Sequence, residues 1–169
     1  MTRDPVRRAG SGRRSDGATV TWTIADGRRG RRWREVVVVG DAVAHSLLYE
    51  TGPDRRFRHL ELATPGGLVT LHPEADGSLH GNVVRATGGV EHLRGIALAP
   101  GGMIHVQGSP ITAAAIDWAG GGEAVEVLVL DPASLRLRAE PPPADRPLGA
   151  AGDGGIPVLE AALTWPLEA

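Results

Sequence analysis

The sequence predicts an all-β protein of about ten short antiparallel strands. Three observations predict it. Apolar residues alternate with polar ones over short segments, the period of a half-buried strand. Glycine, proline and aspartate punctuate the chain between those segments, with 24 Gly and 13 Pro in 169 residues. No stretch of helical period is long enough to serve as a crossover between parallel strands.

Met1 to Gly17 is polar and rich in Gly, Ser and Arg, so residues 1–17 are expected to form a disordered basic tail. A single β domain over residues 18–169 is expected to follow. In Thr19 to Ile24 apolar residues alternate with threonines, placing Val20, Trp22 and Ile24 on one face. Asp26-Gly27 marks a turn, and the arginines after it fit an exposed loop. Val36 to Val39 is a β-branched run that suits a strand covered on both faces. After Gly40-Asp41, the alternating Val43, His45, Leu47 and Tyr49 give a further strand, ended by Gly52-Pro53-Asp54.

Arg56 to Leu62 is the next strand, broken by Pro65-Gly66-Gly67. Leu68 to His72 and Leu79 to Arg85 form a hairpin across Pro73 to Gly77. Short strands follow around Ile96 to Leu98 and Met103 to Val106. Ile111 to Trp118 reads as strand or helix, because alanine blurs the distinction. Glu123 to Leu130 alternates well, Asp131-Pro132 ends it, and Leu135 to Arg138 is a short strand. Glu140 to Asp153 reads as an irregular connection, and Ile156 to Trp165 as a closing strand or short helix.

Composition removes several classes of chemistry. The chain has no cysteine, which excludes disulfides, thiolate metal sites and a cysteine nucleophile. No apolar run approaches the roughly 20 residues of a membrane-spanning helix. Gly10 to Gly17 is polar where a secretory signal needs an apolar region, so the protein is expected in the cytoplasm. Net charge is −2, yet ten of the 18 basic residues, all arginine, precede Glu35. That stretch lacks the interleaved aromatics of a single-strand stacking platform, so no nucleic-acid partner is expected.

Catalytic motifs are missing. There is no phosphate loop and no dinucleotide-binding turn. Ser109 lacks the flanking glycines of a nucleophile elbow. The six histidines show neither the i, i+4 spacing of one helix face nor the i, i+2 spacing of one strand face. His72 and His80 face each other across the proposed hairpin and offer a metal pair, but single hydrogen-bonded histidines are the commoner arrangement. No catalytic residue, metal or cofactor is assigned.

A set of segments carries a family resemblance: Val20-Thr21-Trp22; Tyr49-Glu50 followed by Asp54-Arg55-Arg56-Phe57-Arg58; His92-Leu93-Arg94-Gly95; Gly108-Ser109-Pro110-Ile111-Thr112; Val127 to Leu135; and Trp165-Pro166-Leu167-Glu168. Together they resemble the bacterial glycolipid-binding protein family. Two departures from its Ser-Pro-Phe-Thr-Asn-Thr motif are Ile111 for the phenylalanine and Ala113-Ala114 for the polar pair. The resemblance implies a large antiparallel sheet strongly curved into an open or partial barrel, like that of bacterial lipoprotein carriers. It also implies a glycolipid or fatty-acyl amphiphile as partner, held in an aliphatic concavity.

On that reading Trp22, Tyr49, Phe57, Ile111 and Trp118 lie near the cavity, and Arg56, Arg58 or His59 near a polar headgroup. Two alternatives stand beside it. One is a hydrolase or isomerase using His59, His72 or Glu61 in the same concavity. The other is a structural or interaction protein whose aliphatic residues pack as a dry core.

Overall fold

A computed structural model describes residues 7–121, 123–140 and Leu163. Eight strands form one antiparallel meander in sequence order: β1 (Arg7–Arg13), β2 (Thr19–Gly27), β3 (Gly30–Val39), β4 (Ala42–Thr51), β5 (Phe57–Thr64), β6 (Gly67–Pro73), β7 (Ser78–Arg85) and β8 (Val90–Ala97). A second sheet of three strands joins β9 (Met103–Val106), β10 (Val127–Asp131) and β11 (Arg136–Glu140), with β10 in the middle. One helix, α1 (Pro110–Gly120), connects β9 to β10. The mostly-β expectation holds. The large sheet is open, with β1 and β8 at its edges, and is neither closed nor strongly curled. No helix among the described residues is long and apolar enough to cross a membrane.

The strands are built by period-two burial. Val20, Trp22 and Ile24 of β2, Trp33 and Val37 of β3, Leu47 and Tyr49 of β4, Leu60 and Leu62 of β5, Val69 and Leu71 of β6, and Leu79 and Val83 of β7 turn to one face. On that face they meet Met103, Ile104 and Val106 of β9, Ile111, Ala114, Ala115 and Ile116 of α1, and Leu128 and Leu130 of β10 in one core. Leu163 is buried in the same core. The outer face of the large sheet carries the alternate residues and is open to solvent.

Four expectations are corrected. Residues 7–13 are not part of a disordered tail; they form β1, paired with β2 from Arg7↔Ala25 to Arg13↔Thr19. Backbone pairing and turn chemistry order this strand rather than apolar burial. Asp16 accepts from the Ala18 amide at 3.1 Å, and the Arg14 amide donates to the Ala18 carbonyl at 2.8 Å. Second, Arg31, Arg32 and Arg34 lie in β3 rather than in a loop.

Third, the valine run is covered on one face only: Val37 is buried, while Val36 is 39% and Val39 57% exposed. Fourth, β9 and β10 are parallel, so a crossover helix exists after all. Its start was written in the sequence as a cap. Ser109 accepts from the Thr112 amide at 3.1 Å, and Pro110 opens the first turn. Gly121 ends α1 in the left-handed region at φ 58°. The expected elements within residues 141–162 and 164–169 lie outside the described residues.

Candidate functional site

Two polar features interrupt the apolar core, and they differ in what they can do. The first is a buried knot at the N-terminus of α1. Glu35 follows Trp33 by two residues on β3, so strand alternation turns its carboxylate inward, where it is 1% exposed. His45, on β4, sits diagonally across the strand pair, and its Nε2 is 2.6 Å from Glu35 Oε1. The other carboxylate oxygen accepts from the Ser109 hydroxyl at 3.0 Å and from the Ile111 amide at 3.2 Å. A carboxylate thus accepts the otherwise unpaired Ile111 amide of the first helical turn, where the helix dipole favours it.

The knot continues through Thr112. Its hydroxyl takes the Val106 amide at 3.1 Å and lies 2.9 Å from His105 Nδ1. Ser109, Glu35 and His45 are the residue types of a hydrolase triad in the wrong order. The hydroxyl meets the carboxylate rather than the imidazole, and all three side chains are buried, so the serine–histidine contact of a triad is not formed. The arrangement fastens α1 to the large sheet.

Beside the knot, Tyr49 does the same for β9. Its hydroxyl accepts from the Ile104 amide at 3.2 Å and contacts Met103 Sδ at 4.0 Å. Burial holds the phenol far above its usual value, against the smaller opposing pull of the Ile104 amide. A raised folded value means that the stability is undiminished below the ordinary phenol range and falls progressively as pH rises above it toward the raised folded value. Tyr49 is the only tyrosine in the chain, so an alkaline titration followed by tyrosinate absorbance reads it alone. The folded protein is expected to show no tyrosinate near pH ~10, with the band appearing only as the chain unfolds. A reversible titration of the folded protein in the ordinary range would contradict this placement.

The second feature opens to solvent. At the turn between β2 and β3 a cleft of about 390 Å³ is lined by Arg28, Arg29, Arg31, Arg32 and Arg58, against the carboxylates of Asp26 and Glu50. Gly30 makes the turn tight enough to build it. A side chain there would collide with the Thr51 carbonyl, and its φ of 116° suits glycine. Arg31 Nη2 is 2.9 Å from Asp26, Arg32 Nε is 2.7 Å from Glu50, and Arg58 is 2.9 Å from Asp54. Arg28 and Arg29 are exposed and have no carboxylate partner among the described residues.

The floor of the cleft touches the core through one aromatic rim. The Arg31 guanidinium lies 4.4 Å from the Trp118 ring centre and 5.2 Å from that of Trp33. Arg55 stands 5.2 Å from the Trp118 ring and donates to the Trp118 carbonyl at 3.3 Å. The two indoles meet edge to face at 5.9 Å.

The expected ligand residues separate accordingly. Trp22, Tyr49, Phe57 and Ile111 come together in the packed core, with the Tyr49 and Phe57 rings 5.4 Å apart. Trp118 does not line the cleft but lies 4.4 Å from the guanidinium of Arg31, which does, and Arg58 lines it as well. Arg56 is exposed, 3.9 Å from Asp54, and does not line the cleft. His59 points to the outer face and is 3.0 Å from Glu61. His72 is also on the outer face, so the three residues expected for an enzyme in the concavity are not in it. Sequence reasoning missed Glu35 and the arginines at 28, 29, 31 and 32. Trp33, Glu35 and Val37 do alternate, and Asp26-Gly27 followed by paired arginines marks the turn.

No family model, no curated protein and no solved structure matches the chain. The chemistry of the two features therefore carries the functional reading.

Proposed function

We propose that the chain is a non-enzymatic binding protein for an amphiphile with an anionic head. The head sits in the arginine cleft, and the tail lies against the Trp118 edge of the packed layer between the large sheet and α1. The observation that carries the reading is the excess of five arginines over two carboxylates in the cleft, with Arg28 and Arg29 unpaired among the described residues. Guanidinium groups of this kind bind phosphate or carboxylate through paired, charge-assisted hydrogen bonds.

The tail meets the Trp118 edge where Arg31 joins the polar cleft to the aromatic edge of the core. Each CH₂ taken from water there contributes about 0.8 kcal/mol. The resemblance to the glycolipid-binding family supports an amphiphile as the ligand, and the arginines favour its anionic members. Curvature of the open sheet into a partial barrel around that ligand belongs to this reading.

Native mass spectrometry of the protein purified from its own host tests it. A copurified amphiphile bearing phosphate, sulfate or carboxylate is expected, released by organic solvent. Recovery of the bare chain alone, or of an uncharged lipid, would contradict the proposal.

A further inference from the structure

The hairpin between β6 and β7 places two imidazoles and one carboxylate together on the outer face of the large sheet. His72 and His80 are direct partners in the register, so their side chains leave the sheet on the same side. Their ring centres are 5.0 Å apart. Glu74, one residue past the end of β6, folds back over them. Its Oε1 is 2.8 Å from His80 Nδ1 and 3.6 Å from His72 Nε2.

One donor atom from each of the three residues lies within 4.8 Å of the other two. In a tetrahedral site with metal–nitrogen bonds of 2.0–2.1 Å, donor atoms stand about 3.3 Å apart. The two distances to Glu74 bracket that value, and the two histidine donors lie within 4.8 Å of each other.

The loop that presents Glu74 is already fixed. The Glu74 amide donates to the Ser78 carbonyl at 2.7 Å, and the Gly77 amide to the Glu74 carbonyl at 3.0 Å. Asp76 is occupied by the turn itself, accepting from the Ser78 amide at 2.9 Å and hydroxyl at 2.7 Å. The other outer-face histidines are committed elsewhere: His59 to Glu61 at 3.0 Å and His92 to Asn82 at 2.7 Å. No residue of this group lines the arginine cleft.

From this geometry we infer that His72, Glu74 and His80 form a binding site for a divalent cation of the zinc class. Two neutral imidazoles and one carboxylate suit Zn²⁺, Co²⁺, Ni²⁺ or Cu²⁺, whereas Mg²⁺ and Ca²⁺ take oxygen donors. Three protein ligands leave a fourth position of a tetrahedral ion for water or another small ligand. The ion would also bridge the two strands of the hairpin, so binding couples to its stability.

The test is calorimetric titration of the chelator-stripped full chain with zinc chloride, paired with the visible spectrum of the cobalt form. One ion per chain is expected, with micromolar affinity and the intense absorption of four-coordinate cobalt. His72→Gln and His80→Gln should each weaken binding at least tenfold, and Glu74→Gln should weaken it less. His59→Gln and His92→Gln should bind as the parent does. All three ligands are at least partly exposed, so the variants should keep the parent's circular dichroism. If one ligand variant fails to fold, the other two carry the test. Binding only at millimolar zinc, or binding unchanged in the His72, Glu74 and His80 variants, would overturn the site.

Discussion

Replacing Glu35 by alanine is expected to destabilise the fold by about 3–5 kcal/mol, the range for removing one member of a buried, hydrogen-bonded acid–base pair. The loss has three parts. His45 is left buried with no acid opposite its Nε2. The Ser109 hydroxyl loses its acceptor, and so does the Ile111 amide at the first turn of α1. A cavity the size of the carboxylate remains in a fully packed layer. Glu35→Gln separates these terms. Its amide oxygen still accepts from Ser109 and Ile111, and its NH₂ can donate to His45 in the suitable tautomer. It should cost about 1 kcal/mol, the net value of a typical hydrogen bond. Urea unfolding reads both variants as a lower midpoint at unchanged slope. An alanine variant as stable as the parent would show that the knot does not hold α1 to the sheet.

Trp33→Ala should match that loss, at about 3–5 kcal/mol. Trp33 is completely buried, meets Trp118 edge to face, and supports Arg31 above it. Its indole N–H has no hydrogen-bond partner among the described residues. Trp33→Phe therefore removes an unsatisfied donor while keeping most of the ring. It should cost only about 1–2 kcal/mol, because the smaller cavity is partly offset by the lost desolvation penalty. The alanine variant should also lose near-ultraviolet dichroism from the Trp118 contact. Equal costs for the two variants, measured by urea unfolding, would contradict the placement of Trp33.

The strands were legible where one face is apolar and the other polar. Thr19 to Ile24 and His45 to Tyr49 read correctly because mostly small polar or alanine positions alternate with the buried set, whereas Val43, before the irregularity in pairing with β3, is 54% exposed. The His72↔His80 pairing followed from turn chemistry at Pro73 to Gly77. Five things were hidden, each for a physical reason. β1 is held by its backbone and buries little apolar surface, so composition resembled disorder. Four of the eleven residues of α1 are alanine, which blurs helix and strand patterns, and only its Ser109-Pro110 start announced it.

The knot was hidden because an inward glutamate breaks the alternation that reveals a strand. The valine run that follows Glu35 then drew the eye to a two-faced strand that does not exist. The cleft joins residues from β2, β3, β4 and β5 with the intervening turn, and no local pattern records that meeting. The Glu74 side chain joins the two histidines from a loop, again through geometry that spacing alone does not give.

Calorimetric titration of the full chain with single-chain amphiphiles of one tail length tests the central reading most directly. One ligand carries a phosphate head and the other an uncharged sugar head, and free inorganic phosphate is the third titrant. The phosphate-headed amphiphile should bind tightest, and its affinity should fall with added salt as exposed charges are screened. Replacing both Arg28 and Arg29 by alanine should weaken it several-fold, since exposed charge pairs contribute roughly 0.2–1 kcal/mol each. Equal affinity for the charged and uncharged amphiphiles, or binding unaffected by the double replacement, would contradict the arginine cleft as the site of recognition.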